Sequence, residues 1–153
     1  MNDRIGPALT ISMAAVLVLS PLALLGPLRG SPDAAERRQL VNLTRPERDA
    51  VRAEMRQMLA SVDGVVRAVS TGDLAATEAA ARASGMATAV DPRLERKLPK
   101  AFLEMGERVH HGFDELADAA KTNASRDALL AKLADVTGTC VACHAVYRFV
   151  GTR

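Results

Sequence analysis

The sequence predicts an all-α fold, an antiparallel four-helix bundle, on three observations. Apolar residues recur at helical spacing in four segments, turn signals separate those segments, and none keeps a sustained strand alternation. Composition agrees: of 153 residues, 48% are hydrophobic and 25% charged, a globular balance at a length that suits one domain. Aromatic residues are scarce at 3%, three Phe and one Tyr with no Trp. Each buried ring covers roughly 150–250 Å², so the core must be filled by Leu, Val, Met and Ala, or by something that is not protein.

The chain opens on ALTISMAAVLVLSPLALL, Ala8 to Leu25, without a charge and preceded by Arg4. Residues 1–30 are therefore expected to be a signal peptide or an uncleaved membrane anchor. Eighteen residues just span a bilayer core of about 30 Å at 1.5 Å per residue. Pro21 and the serines count against a span, while LLGPLRG offers no good small-x-small cleavage site. The anchor is the favoured expectation, and with it a periplasmic domain tethered to the inner membrane through residues 8–25. Residues 31–42 read as a linker and 43–153 as the bundle.

Thr44-Arg45-Pro46-Glu47 has the form of a capping box with proline early in the first turn. The stripe Val51, Met55, Met58, Leu59, Val62, Val66, Val69 follows, and Thr71-Gly72-Asp73 supplies a stop and a new cap. LAATEAAARAS is an Ala-rich second helix ending at Gly85. Asp91-Pro92 and Leu98-Pro99 mark starts, because proline suits a first turn and interrupts an interior. The third stripe is Phe102, Met105, Val109, Phe113, Leu116, Ala120. Asn123 or Ser125 caps the fourth helix, whose stripe runs Leu129, Leu133, Val136, Cys140, Cys143 or His144, and Tyr147.

Several functions lack their residues. Arginines are interspersed with acids, so there is no basic footprint for nucleic acid. No Gly-rich phosphate loop or His-Glu-x-x-His zinc helix is present. Of the 20 basic and 18 acidic residues, Arg4, Arg29 and Asp3 fall in residues 1–30, which leaves 18 and 17. The domain itself is nearly neutral.

Both cysteines lie in the run TGTCVACHAVYRFVGTR, at Cys140 and Cys143, with His144 next to them. At i, i+3 and i+4 of a helix the three share one face, which continues the apolar stripe. A disulfide between them would close a small ring whose Cα separation and dihedral are awkward inside a helix. A redox dithiol normally opens a helix after a strand, and no strand is expected here. Zinc would need His110 or His111 to complete Cys₂His. The fourth reading is one covalent haem c, because Cys-x-x-Cys-His is the c-type attachment signature and a porphyrin is a large flat apolar body. It accounts for the position of the motif and the scarcity of aromatics together.

The run Cys140-Val141-Ala142-Cys143-His144-Ala145-Val146-Tyr147-Arg148 resembles the class II cytochromes c, the family of cytochrome c′ and cytochrome c556. The resemblance covers about residues 43–150 and implies that Cys140 and Cys143 form thioethers and that His144 is the proximal iron ligand. It also places Arg148 one turn beyond His144 as a fixed charge beside the haem, with Tyr147 on the core stripe. In this family the first helix supplies the distal residue. A methionine there gives a six-coordinate electron carrier; a non-ligating residue leaves the iron open to small gases such as nitric oxide.

Here Met55 and Met58 lie on the first helix's stripe, and Met55 is the favoured iron ligand. The family spacing Arg-x-x-x-Met is missed: four residues after Arg52 stands Arg56, which cannot ligate because it stays protonated. Flexible core filling is the other role for both methionines. In the third helix Leu103, Gly106, His110, Phe113 and Ala117 share a face, so His110 reads first as a satisfied core residue and second as one that could ligate iron or hydrogen-bond near the haem, and Gly106 would admit a flat cofactor or another helix. His111 falls on the wet side with Glu104, Glu115 and Asp118. Met105 reads as core and Met86 as a weak candidate. The expected function is electron transfer between redox partner proteins, not catalysis, with a gas-binding cytochrome c′-like module as the alternative. Helix faces of such bundles also allow a homodimer.

Overall fold

The computed structural model describes residues 37–89, Leu94 and 96–151. The described residues from Arg38 onward form one compact unit, and the expected export or anchor segment lies outside the described residues. The chain is mostly helical, as an all-α assignment requires, with four α-helices among the described residues: α1 (Arg45–Thr71), α2 (Leu74–Arg82), α3 (Lys100–Lys121) and α4 (Arg126–Val146). Two short strands, β1 (Gln39–Leu43) and β2 (Tyr147–Gly151), flank them.

Local chemistry sets the helix ends. The backbone N–H of Thr44 donates to the Glu47 carboxylate at 2.9 Å, closing the capping box, and Pro46 occupies the first turn. Gly72 ends α1 at φ 75°, a left-handed conformation that glycine adopts without a Cβ penalty. Asp73 then accepts from the Ala76 N–H at 2.8 Å and starts α2. Lys100 begins α3 directly after Pro99. Of the two residues expected to cap α4, Ser125 does so, accepting from Ala128 N–H at 3.2 Å, while Asn123 takes φ 59° in the preceding turn.

α1 packs on α2, α2 on α3 and α3 on α4, whereas α1 meets α4 over a smaller contact. Two glycines set the closeness of these pairs. A Cβ on Gly112 of α3 would stand 2.7 Å from Val136 Cγ2, and one on Gly64 of α1 3.0 Å from Ala80 Cβ. Arg82 ties α2 to α3 through Asp114 at 3.0 Å and Asp118 at 2.6 Å, and Asp114 also accepts the Met86 N–H at 2.8 Å. α4 is long and apolar enough to cross a membrane by length and composition alone; in the fold its Leu129, Leu133 and Val136 are buried.

The core is divided. One cluster joins Val65, Val69, Val109, Phe113, Leu116, Leu129, Leu133 and Val136, with Met58 and Cys140 at its edge. The other joins Val41, Leu43, Val51, Leu94, Leu98, Phe102 and Tyr147, with Met55, Met105 and Cys143 at its edge. Three of the four aromatic residues gather in the second cluster, where the Phe102 ring centroid lies 5.3 Å from Tyr147 and 6.0 Å from Phe149.

The strands correct the sequence-based expectation. β1 and β2 pair in parallel, from Gln39 opposite Tyr147 to Leu43 opposite Gly151. Residues 39–42, expected to end a linker, thus join the fold, with Val41 and Leu43 buried. Tyr147 is not the last residue of the α4 stripe but the first of β2, buried all the same. Arg148 is likewise in a strand, opposite Leu40, and not one helical turn beyond His144. The helix ends at Val146 because Tyr147 is extended, at φ −114° and ψ 149°. Within the first helix, Leu59 and Val66 of the expected core stripe are 68% and 47% exposed, since the contact between α1 and α4 is too sparse to cover them.

Candidate functional site

Between the two clusters lies a cavity of about 530 Å³ with walls from α1, α3 and α4. Its volume lies within the roughly 300–1,000 Å³ of small-molecule and cofactor sites. Its walls are mostly apolar, from Val51, Val62, Leu98, Phe102, Leu103 and Val109 among others.

The residues singled out in the sequence converge on it. Met55, Met58, Cys140, Cys143 and His144 all line the cavity. They are also distributed across it: Met58 and Cys140 border one core cluster, Met55 and Cys143 the other. Helical spacing explains this, since residues three apart share a face while standing about 4.5 Å apart along the axis. Both thiols are free and half-buried, and burial holds both above the usual thiol range, so they are neutral at physiological pH. Cys140 Sγ–H points at the Val136 carbonyl, 3.5 Å away. Among the described residues, no three His, Cys, Asp or Glu side chains stand together as a metal-holding group, so the zinc reading finds no converged donor set there.

His110 is a satisfied core residue, as its place on the apolar stripe favours. Its ring is 4% exposed; Nδ1 lies 2.9 Å from the Ser84 carbonyl oxygen and Nε2 3.0 Å from Glu54 Oε1. A carbonyl only accepts, so Nδ1 carries a proton, and the Nε2–Oε1 contact holds a second proton on one partner or the other. Neither nitrogen has a lone pair left for a metal in this arrangement. Burial works against the charged ring, but the Glu54 carboxylate and the Ser84 carbonyl outweigh it and raise the His110 pKa. His111 is exposed, as its pattern predicts.

Glu54, the rim arginines Arg52 and Arg56, and Arg38 were not read from the sequence as parts of a site. Glu54 lines the cavity beside His110, although its place, three after Val51 and four before Met58, puts it on the buried arc. Arg52 and Arg56, exposed and one turn apart, stand at the cavity wall. At Gly106 an added Cβ would meet nothing within 4 Å, which resolves its two expected uses in favour of open space over helix contact. The Arg38 guanidinium reaches the His144 carbonyl oxygen at 3.4 Å, linking the segment before β1 to the end of α4. Arg148 is not among the residues lining the cavity.

The Cys140 and Cys143 thiols and the His144 imidazole share one wall of the cavity, the Met55 and Met58 sulfurs lie on another, and Arg52 and Arg56 stand at its rim, residue types that could hold a haem. Comparison with family models, curated proteins and solved structures finds no match to this chain.

Proposed function

We propose that the protein is a c-type cytochrome of the class II kind, an antiparallel four-helix bundle that carries electrons through one covalently attached haem. The observation that carries this reading is the joint placement of Cys140, Cys143, His144, Met55 and Met58 on a single apolar cavity that separates two core clusters. When bound, haem would supply reversible one-electron exchange.

The chain's residues do the rest. Cys140 and Cys143, neutral and half-buried, are placed to hold the porphyrin edge by thioether bonds, and the tether suits an exported protein that must not lose its cofactor. His144 would supply an imidazole to the iron, and Met55, or Met58 one turn on, would supply a thioether from α1; His/Met ligation would raise the potential into the range of an electron carrier. Arg52 and Arg56 would pair with carboxylates at the rim. The location that goes with this function is the periplasm, with residues 8–25 as export signal or inner-membrane anchor and redox proteins as partners.

Absorption spectra of the ferric and ferrous protein test the ligation. Electron transfer predicts a low-spin ferric spectrum with a sulfur-to-iron band near the red edge, lost in Met55→Ala or, if the other sulfur ligates, in Met58→Ala. A high-spin ferric spectrum, with carbon monoxide taken up readily by the ferrous form, would instead make the protein a five-coordinate gas binder of the cytochrome c′ kind.

A further inference from the structure

Glu54 and Ser61 lie seven residues apart on α1, two turns along one line of the helix; Glu54 is bonded to His110 of α3 and Ser61 to Ser84 in the segment between α2 and α3. Ser61 Oγ meets Ser84 Oγ at 2.8 Å in a buried pair, and Ser84 offers its carbonyl oxygen to His110 Nδ1 at 2.9 Å. His110 Nε2 returns to α1 through Glu54 Oε1 at 3.0 Å. Glu54, His110, Ser84 and Ser61 thus form a polar seam linking α1 to α3 and to the chain after α2. Apolar packing is non-directional and tolerates rotation of a helix about its axis, whereas two hydrogen-bonded positions on one line do not.

Rotation matters here because α1 meets α4 over far less contact than α3 does. Its cavity face carries Met55 and Met58, with Leu59 and the rim arginines further round. A turn of α1 by one residue's azimuth, about 100°, would carry Met55 out of the cavity. Burying four polar side chains without this geometry would be costly, so the seam is satisfied only in one orientation of α1.

We propose that His110 is a positioning residue: with Glu54 and Ser84 it fixes the rotation of α1 so that the methionine sulfurs face the cofactor cavity, and it does not itself ligate iron. This rests on the haem reading above. The seam also explains how a methionine could serve although its spacing from Arg52 departs from the family pattern, since orientation is set by Glu54 and not by the arginine.

The test uses the exported full-length protein. Glu54→Ala is the primary variant, because the Glu54 side chain is 16% exposed and its loss opens no core void, unlike that of His110. Glu54→Gln is the rescue, since its amide N–H donates to Nε2 while Nδ1–H keeps Ser84. The readouts are the sulfur-to-iron band per covalent haem, the midpoint potential, and far-UV circular dichroism as the folding check. The expected result is that Glu54→Ala lowers the ratio of sulfur-ligated to unligated iron by about tenfold or more, lowers the potential and keeps its helicity, while Glu54→Gln stays near wild type. A Glu54→Ala band equal to wild type, or a Glu54→Gln protein as impaired as Glu54→Ala, overturns the positioning role alone. Wild type with covalent haem but no sulfur band overturns it as well, and leaves the haem assignment standing. Wild type without covalent haem removes both.

Discussion

Gly106 separates a cavity that receives a ligand from one that is only loose packing. A Cβ there meets nothing within 4 Å, so Gly106→Ala should fold at least as well as wild type, with up to about 1 kcal/mol gained in helix propensity. Gly106→Phe should keep the helicity by circular dichroism yet lower the haem content of the exported protein, because the ring would fill the hollow. Haem content equal to wild type in Gly106→Phe would show that the cofactor lies elsewhere. The site residues that could be read in advance were those with chemical signatures: Cys140, Cys143, His144 and the two methionines all reach the cavity. Glu54 and Ser61 were not legible, because a carboxylate or hydroxyl on a buried arc announces nothing about the partner it will meet across the fold. That partner, Ser84 with His110, is supplied by the segment after α2 and by α3.

At the scale of elements, close approach of α3 and α4 rests on Gly112. Gly112→Ala would put a methyl 2.7 Å from Val136 Cγ2 and should destabilise by about 1–3 kcal/mol, seen as a lower urea midpoint with unchanged slope. The β1–β2 pair makes a different prediction. Val41→Asp buries a carboxylate in the cluster around Phe102 and Tyr147. Hydrogen exchange should then speed up in 147–151 while amides around Phe113 and Leu116 keep their protection; uniform loss everywhere would mean the two clusters are not separate units. The helices were legible because their stripes are long and their caps explicit, as at Thr44, Asp73 and Ser125. The strands were not: five residues each, with QLVNL and YRFVG showing only partial alternation, and a parallel partner more than a hundred residues away.

For the molecule as a whole, the depressed carboxylates Glu47, Asp63 and Asp114 contribute to the acid limit, and Glu47 and Asp114 tie separate elements together. Lys97, then the Thr44 N–H and hydroxyl, hold Glu47 near 2, from an ordinary value of 4.5, and the Met86 N–H followed by Arg82 lowers Asp114. Both groups bind protons more weakly folded than unfolded, so their contribution is present above the ordinary carboxylate range and is lost as pH falls toward 2. Melting temperature should drop between about pH 4.5 and 2, and less steeply in Glu47→Gln; an identical slope in that variant would exclude Glu47 as a cause. The same whole-molecule view unites the divided core with the scarcity of aromatics. Three of the four rings close one end, and the middle of the domain is left to a cavity bounded by sulfur and imidazole. The central claim is that a haem is bonded to Cys140 and Cys143. Intact mass spectrometry of the protein, exported from cells that attach haem c and then denatured, tests it directly. The account predicts one species heavier by a single haem, absent from Cys140→Ser/Cys143→Ser; a denatured protein at its bare polypeptide mass with two free or disulfide-bonded cysteines would contradict it.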